Sequence, residues 1–233
     1  MCLRFTLAVS DEKELKQRFD VERIEGGEIK ARYNISPTQN IAVVCNDSSN
    51  SITFASWGLI PHWAKEEKMG SKLGNARAES VDKKPAFKKP FESKRCLIIA
   101  DSFYEWKKPA KTPYRIMLKN ERLFAFAGIY DDWRKTEEGG GEFNVRTCSI
   151  ITTEPNALVK EIHDRMPVIL KREDEKKYLD ASVEEAKGML APYPAERMRM
   201  YEVSRKVNSS KFDSPDLIEP VKKTKKGTLE EFV

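Results

Sequence analysis

The chain has 233 residues, enough to bury a full core in one large domain or in one domain with a tail. With 39% hydrophobic and 34% charged residues it reads as a globular protein with a heavily charged surface, and no segment approaches the roughly 18 consecutive apolar residues of a membrane span. The net charge of +5 permits a nucleic-acid partner without requiring one, so where the cations cluster matters more than their total.

The first predicted element is a short helix over 11–20, "DEKELKQRFD", which carries an acidic start signal and helical spacing. Strand-like runs follow at 41–45, 52–58, 96–101, 114–118, 123–130 and 145–153. Most are rich in β-branched and aromatic residues, with connections short enough for antiparallel pairing. Helical patterns come later, at 155–164, 172–180 and 182–190. Strands first and helices later argue for an α+β fold rather than a repeating parallel sheet. Between them, "KKPAFKKPFESKR" (83–95) interleaves six basic residues with two phenylalanines and two prolines and reads as a loop.

The four cysteines, Cys2, Cys45, Cys96 and Cys148, are far apart and show no C-x-x-C. His62 and His163 do not complete a zinc set, so no metal and no cofactor is expected. Cys45, Cys96 and Cys148 sit in or beside apolar runs and read as small buried hydrophobes in a reducing compartment. The apolar stretch after Cys2 is too short for a signal peptide. The expected location is cytoplasmic (nucleoid-associated) or nuclear, and the chain is not expected to be secreted.

Cys2 stands directly behind Met1. If Met1 is removed, Cys2 carries a free α-amine beside its thiol, a 1,2-aminothiol that no internal residue can supply. Elsewhere, polar and aromatic residues fall at strand and helix ends. "SWGLIPHW" (56–63) spends two tryptophans around Gly58 and Pro61, and "GNARAES" (74–80) groups Asn75, Arg77 and Glu79. "DSFYEW" (101–106) sets Glu105 between aromatics, and "EIHDRMPVIL" (161–170) puts His163, Asp164 and Arg165 at a helix end before Pro167. A thiol or amine, an amide, a carboxylate and an imidazole together make a nucleophilic site.

In chain order, Cys2, "NISPTQ", "SWGLIPHW", "NARAES", "DSFYEW", "HDRMPVIL" and "VSRKVNSSKFDSP" resemble the SRAP family, the SOS response-associated peptidase fold. The resemblance covers residues 2–220. It implies binding of abasic sites in single-stranded DNA and cross-linking to them through the N-terminal cysteine, in the setting of DNA damage response and repair. Many members read Met-Cys-Gly-Arg where this chain has Leu3, a side chain that bears on the rate of the nucleophile beside it. The expected architecture is one domain, 1–220, with a curved, mainly antiparallel, barrel-like β core and peripheral helices. A flexible basic tail follows at 221–233.

The chemistry suits an abasic sugar, whose open form is an aldehyde. An amine must be unprotonated to condense with it. At pH 7 about a tenth of N-terminal amines are neutral, against roughly a few in ten thousand lysines. The Cys2 thiol then closes on the imine carbon to give a five-membered thiazolidine. By resemblance, Glu105 acts as general acid/base, His163 assists sugar ring opening and Asn75 orients the reacting groups. Arg4, Arg77 and Arg165 are expected on phosphates, and Trp57, Trp63 and Trp106 on bases.

The tail "KGTLEEFV" (226–233) resembles a sliding-clamp-binding peptide, with Leu229, Phe232 and Val233 as its apolar plug and Lys226 where the motif has Gln. The expected oligomeric state is a monomer. Two other readings use the same residues. One is a thiol protease, a hydrolase as the family name suggests, with Cys2 as nucleophile, His163 as base and Met1 as the residue removed. The other is a single-stranded DNA binding module without covalent chemistry.

Overall fold

Apolar runs rich in Val, Ile and Phe, each cut short by turn residues, build strands here, and their register closes five of them into a barrel. The computed structural model describes residues 3–47, 49–136 and 141–221. The first half forms β1 (Phe5–Leu7), α1 (Glu12–Phe19), β2 (Arg23–Ile24), β3 (Arg32–Ile35), β4 (Asn40–Cys45), β5 (Ser51–Trp57), β6 (Asn75–Arg77) and α2 (Pro85–Ser93). The second half forms β7 (Arg95–Ala100), β8 (Ser102–Lys107), β9 (Thr112–Leu118), β10 (Phe124–Thr136), β11 (Glu142–Thr153), α3 (Ala157–Lys160), β12 (Met166–Pro167), α4 (Glu175–Asp180), α5 (Val183–Gly188) and β13 (Met198–Glu202).

The ring runs β5–β4–β7–β10–β11 with antiparallel neighbours. It closes by a parallel contact, Thr147↔Ser56 and Cys148↔Trp57, between β11 and β5. The result is the expected α+β single domain, with a five-strand mixed barrel as its core. All six residues of β7 are buried, because α2 and α4 cover its outer face. Cys45, Cys96 and Cys148 are free and buried in this barrel.

A second antiparallel sheet, β13–β9–β8–β1–β3, packs on the barrel. Phe5 of β1 joins the two layers, edge-on to Trp57 at 5.2 Å and to Phe126 at 5.7 Å between ring centroids. Helix α1 starts where the Asp11 carboxylate accepts the Glu14 N–H at 2.7 Å, and it buries Leu15 and Phe19. Arg18 on this helix makes a bidentate pair with Glu175, both bonds 2.8 Å, which ties α1 to α4. No helix among the described residues is long and apolar enough to cross a membrane.

Three expectations change. The segment read as a loop at 83–95 contains α2: Pro85 sits in its first turn, and Phe87, Pro90 and Phe91 bury one face, while Lys88 and Lys89 face solvent. Packing of that face outweighs the interior Pro90. The helix expected over 155–164 is one turn, α3, capped by Asn156 on the Val159 N–H at 2.9 Å. The run Ser102–Lys107, beyond the predicted 96–101 strand, is a full strand, β8.

Candidate active site

Three elements meet at the C-terminal end of β11. β6 pairs with it in parallel through Ile150↔Asn75 and Thr152↔Arg77, and β12 pairs antiparallel through Thr153↔Met166. The turn between α3 and β12 carries His163, and β8 delivers Glu105. Gly58 makes the approach of β6 feasible. Its φ is +142°, and a Cβ there would stand 2.6 Å from the Gly70 carbonyl oxygen. That close contact pins the 59–74 connection that leads to Asn75.

Glu105 is only 2% exposed. Its Oε1 accepts no hydrogen bond among the described residues, and its Oε2 lies 3.8 Å from His163 Nε2. Burial pushes the Glu105 carboxyl up to about 7 and pushes the His163 imidazole down from its usual 6.5. The Arg165 backbone N–H donates to His163 Nδ1 at 3.0 Å. Nδ1 also lies 3.1 Å from Asp164 Oδ1 and 3.3 Å from the Arg165 carbonyl, while Nε2 is the ring nitrogen that faces Glu105. The pair sets a carboxyl raised toward neutrality against an imidazole held neutral, the kind of groups that give or take a proton near pH 7. Lys108, Lys160 and His163 line an open cleft of about 570 Å³ beside this pair.

The remaining expected residues divide. Asn75 is half-buried on β6, and Arg77 is exposed two residues on. Arg165 pairs through both terminal nitrogens with Glu79 and also donates to the Thr152 carbonyl at 2.6 Å. Arg4 is turned inward, donating to Asn34 Oδ1 at 2.7 Å and to the Val207 carbonyl at 2.9 Å. Trp57, expected on DNA, is instead a core residue: it is fully buried, and its Nε1 donates to the Gly74 carbonyl at 2.8 Å. Trp106 is half-buried beside Glu105, with Nε1 donating to Asn208 Oδ1 at 2.7 Å.

Trp63 is 52% exposed on a cleft of about 710 Å³ that Lys65, Lys68 and Lys72 also line. Leu3 directs its side chain outward, 45% exposed. Cys2, Leu229, Phe232 and Val233 lie outside the described residues. Among the described residues no group of three or more His, Cys, Asp or Glu is placed to hold a metal.

Sequence reasoning missed the scaffold behind these residues. Buried Asn34 donates to the carbonyls of Ser209 at 3.0 Å and Phe212 at 2.8 Å, while Asp213 accepts from Arg32 and from the Asn34 N–H. The motifs "NISPTQ" and "VSRKVNSSKFDSP" are thus two halves of one buttress beneath β1, the strand that follows Cys2. No spacing in the sequence signals a contact between residues so distant in the chain.

A mixed barrel with a buried carboxyl facing an imidazole at one strand end makes a candidate acid–base site. The chain matches the SOS response associated peptidase (SRAP) family over residues 1–210. It is 49% identical over 227 residues to the abasic site processing protein YoqW of Bacillus subtilis (strain 168), covering 94% of this chain and 99% of that one. It is 32% identical over 254 residues to the abasic site processing protein HMCES of Gallus gallus, covering 94% and 74%. Among solved structures, a protein from Bacteroides thetaiotaomicron superposes with a TM-score of 0.84 at 28% identity, covering 94% of this chain and all of the other. The chain belongs to the SRAP family.

Proposed function

We propose that the protein processes abasic sites in single-stranded DNA, capturing them covalently through Cys2 once Met1 is removed. The observation that carries this reading is the buried Glu105 carboxyl, pushed up to about 7 and 3.8 Å from the His163 Nε2. Relatives named abasic site processing proteins, YoqW and HMCES, support the substrate class.

The sequence of steps follows from the groups. His163, beside the ring oxygen of the sugar, assists opening to the aldehyde, in which the bond from C1 to the ring oxygen breaks, the ring oxygen gains a proton and the anomeric hydroxyl gives one up. The Cys2 amine adds to the aldehyde carbon, and Glu105 protonates the departing hydroxyl, so that water leaves and an imine forms. The thiol sulfur then bonds to the imine carbon, and its proton passes to the nitrogen. The product is a thiazolidine, which shields the lesion. Asn75 orients the amine or a sugar oxygen. Arg77 and Arg165 bind phosphates, and Trp106 and Trp63 stack on bases along the strand.

Single-turnover cross-linking to an abasic oligonucleotide tests the assignment. General acid–base groups contribute about 10²–10⁴-fold, so Glu105→Gln and His163→Ala each slow adduct formation by about 10²-fold or more. Unchanged rates in both variants remove the pair from the mechanism.

A further inference from the structure

Glu79 bonds to Arg165 and stands within the field of Arg77, the two arginines expected on the phosphates. Both terminal nitrogens of Arg165 bond to its carboxylate, Nη2 at 3.0 Å from Oε2. Arg77, two residues earlier on β6, is exposed. Bonding to Arg165, with help from the charge of Arg77, holds the Glu79 carboxyl below its ordinary range.

The two partners differ in freedom. The Arg165 side chain is 14% exposed, its Nη2 is anchored on the Thr152 carbonyl at 2.6 Å, and its Nε is buried. Glu79 is 55% exposed. If an anion enters this seat, Glu79 is the group that leaves. A carboxylate seated on a guanidinium fork presents two oxygens in the geometry a phosphate uses.

We propose that Glu79 is a specificity-determining residue, a built-in carboxylate occupying the phosphate seat of Arg165 that an incoming DNA phosphate must displace. The inference rests on the reading of Arg77 and Arg165 as phosphate ligands. Its consequence is weak binding to undamaged single strands, which would otherwise occupy a protein that reacts only once per lesion. Covalent capture then secures the abasic strand despite the weakened first encounter.

The test is fluorescence anisotropy with a labelled, undamaged oligothymidylate at several salt concentrations, using wild type, Glu79→Gln, Arg165→Gln and the double variant. An exposed ion pair is worth little, so displacing it changes affinity modestly. Glu79→Gln is expected to bind about twofold to fivefold tighter than wild type. Arg165→Gln is expected to bind more weakly, and Glu79→Gln is expected to add almost nothing in the Arg165→Gln background. Undamaged competitor should also inhibit cross-linking by Glu79→Gln more strongly than by wild type. Salt-dependent binding that Arg165→Gln weakens but Glu79→Gln leaves unchanged or weakens overturns the Glu79 inference alone. Binding that ignores both salt and Arg165→Gln overturns the phosphate reading, and the inference with it. An equal gain from Glu79→Gln with and without Arg165 also overturns it, since general charge removal then accounts for the effect.

Discussion

Replacing Glu105 by Gln should stabilise the protein at alkaline pH while it slows the chemistry. Burial moves the Glu105 carboxyl from an ordinary 4.5 to about 7, so between those values the folded state keeps a proton that the unfolded state has released. Stability is therefore full below about pH 4.5 and is lost as pH rises through about 7. At about 1.4 kcal/mol for each pH unit, the loss reaches ~3 kcal/mol by pH 8. The amide of Glu105→Gln does not titrate and escapes the loss. The neutral His163, whose burial acts against stability at acid pH, is common to both proteins. Urea unfolding of wild type and Glu105→Gln at pH 4.5 and pH 8 measures the difference. The variant should gain ~3 kcal/mol relative to wild type across that range, or about 6–12 °C in melting temperature. Parallel pH profiles would refute a carboxyl that burial keeps protonated at this position.

Other outcomes follow from the same structure. Trp57→Ala empties a fully buried site against Phe5 and should cost about 3–5 kcal/mol in urea unfolding, whereas Trp63→Ala should leave the midpoint unchanged and weaken binding to single-stranded DNA by about 1–3 kcal/mol. The reverse pattern would exchange their roles. Glu175→Ala leaves the largely buried Arg18 only Glu121 at 3.7 Å and the Leu123 carbonyl at 3.2 Å among the described residues, and should destabilise by about 3 kcal/mol; a thermal shift under a degree would show that the α1–α4 pair is dispensable. From the sequence alone, the resemblance of 226–233 to a clamp-binding peptide predicts that deleting it abolishes recovery on an immobilised sliding clamp, and undiminished recovery removes that expectation.

Much of this was legible in the sequence, for physical reasons. The barrel strands announced themselves because residues such as "IAVVC" and "CLIIAD" are buried on both faces and so read as unbroken apolar runs. β8 did not, because Ser102 and Glu105 are buried polar residues that break the pattern. α2 was hidden by two prolines and its exposed lysines, although Phe87 and Phe91 stand four apart on a buried face. The site residues were visible as separate motifs. Their assembly depends on β6 and β12 flanking β11, and no local signal encodes that pairing. For the same reason the sequence could not reveal that Trp57 belongs to the core, that Arg4 is turned toward Asn34, or that Arg165 is engaged by Glu79.

The most direct measurement is the intact mass of the Met1-processed protein after incubation, without borohydride, with a single-stranded oligonucleotide carrying one abasic site. The account predicts a denaturation-resistant adduct with the mass of protein plus DNA minus one water, absent in Cys2→Ala. Its survival without reduction marks a closed thiazolidine rather than an open imine. Fully processed protein that forms no adduct, or an adduct that persists in Cys2→Ala, would contradict capture through Cys2.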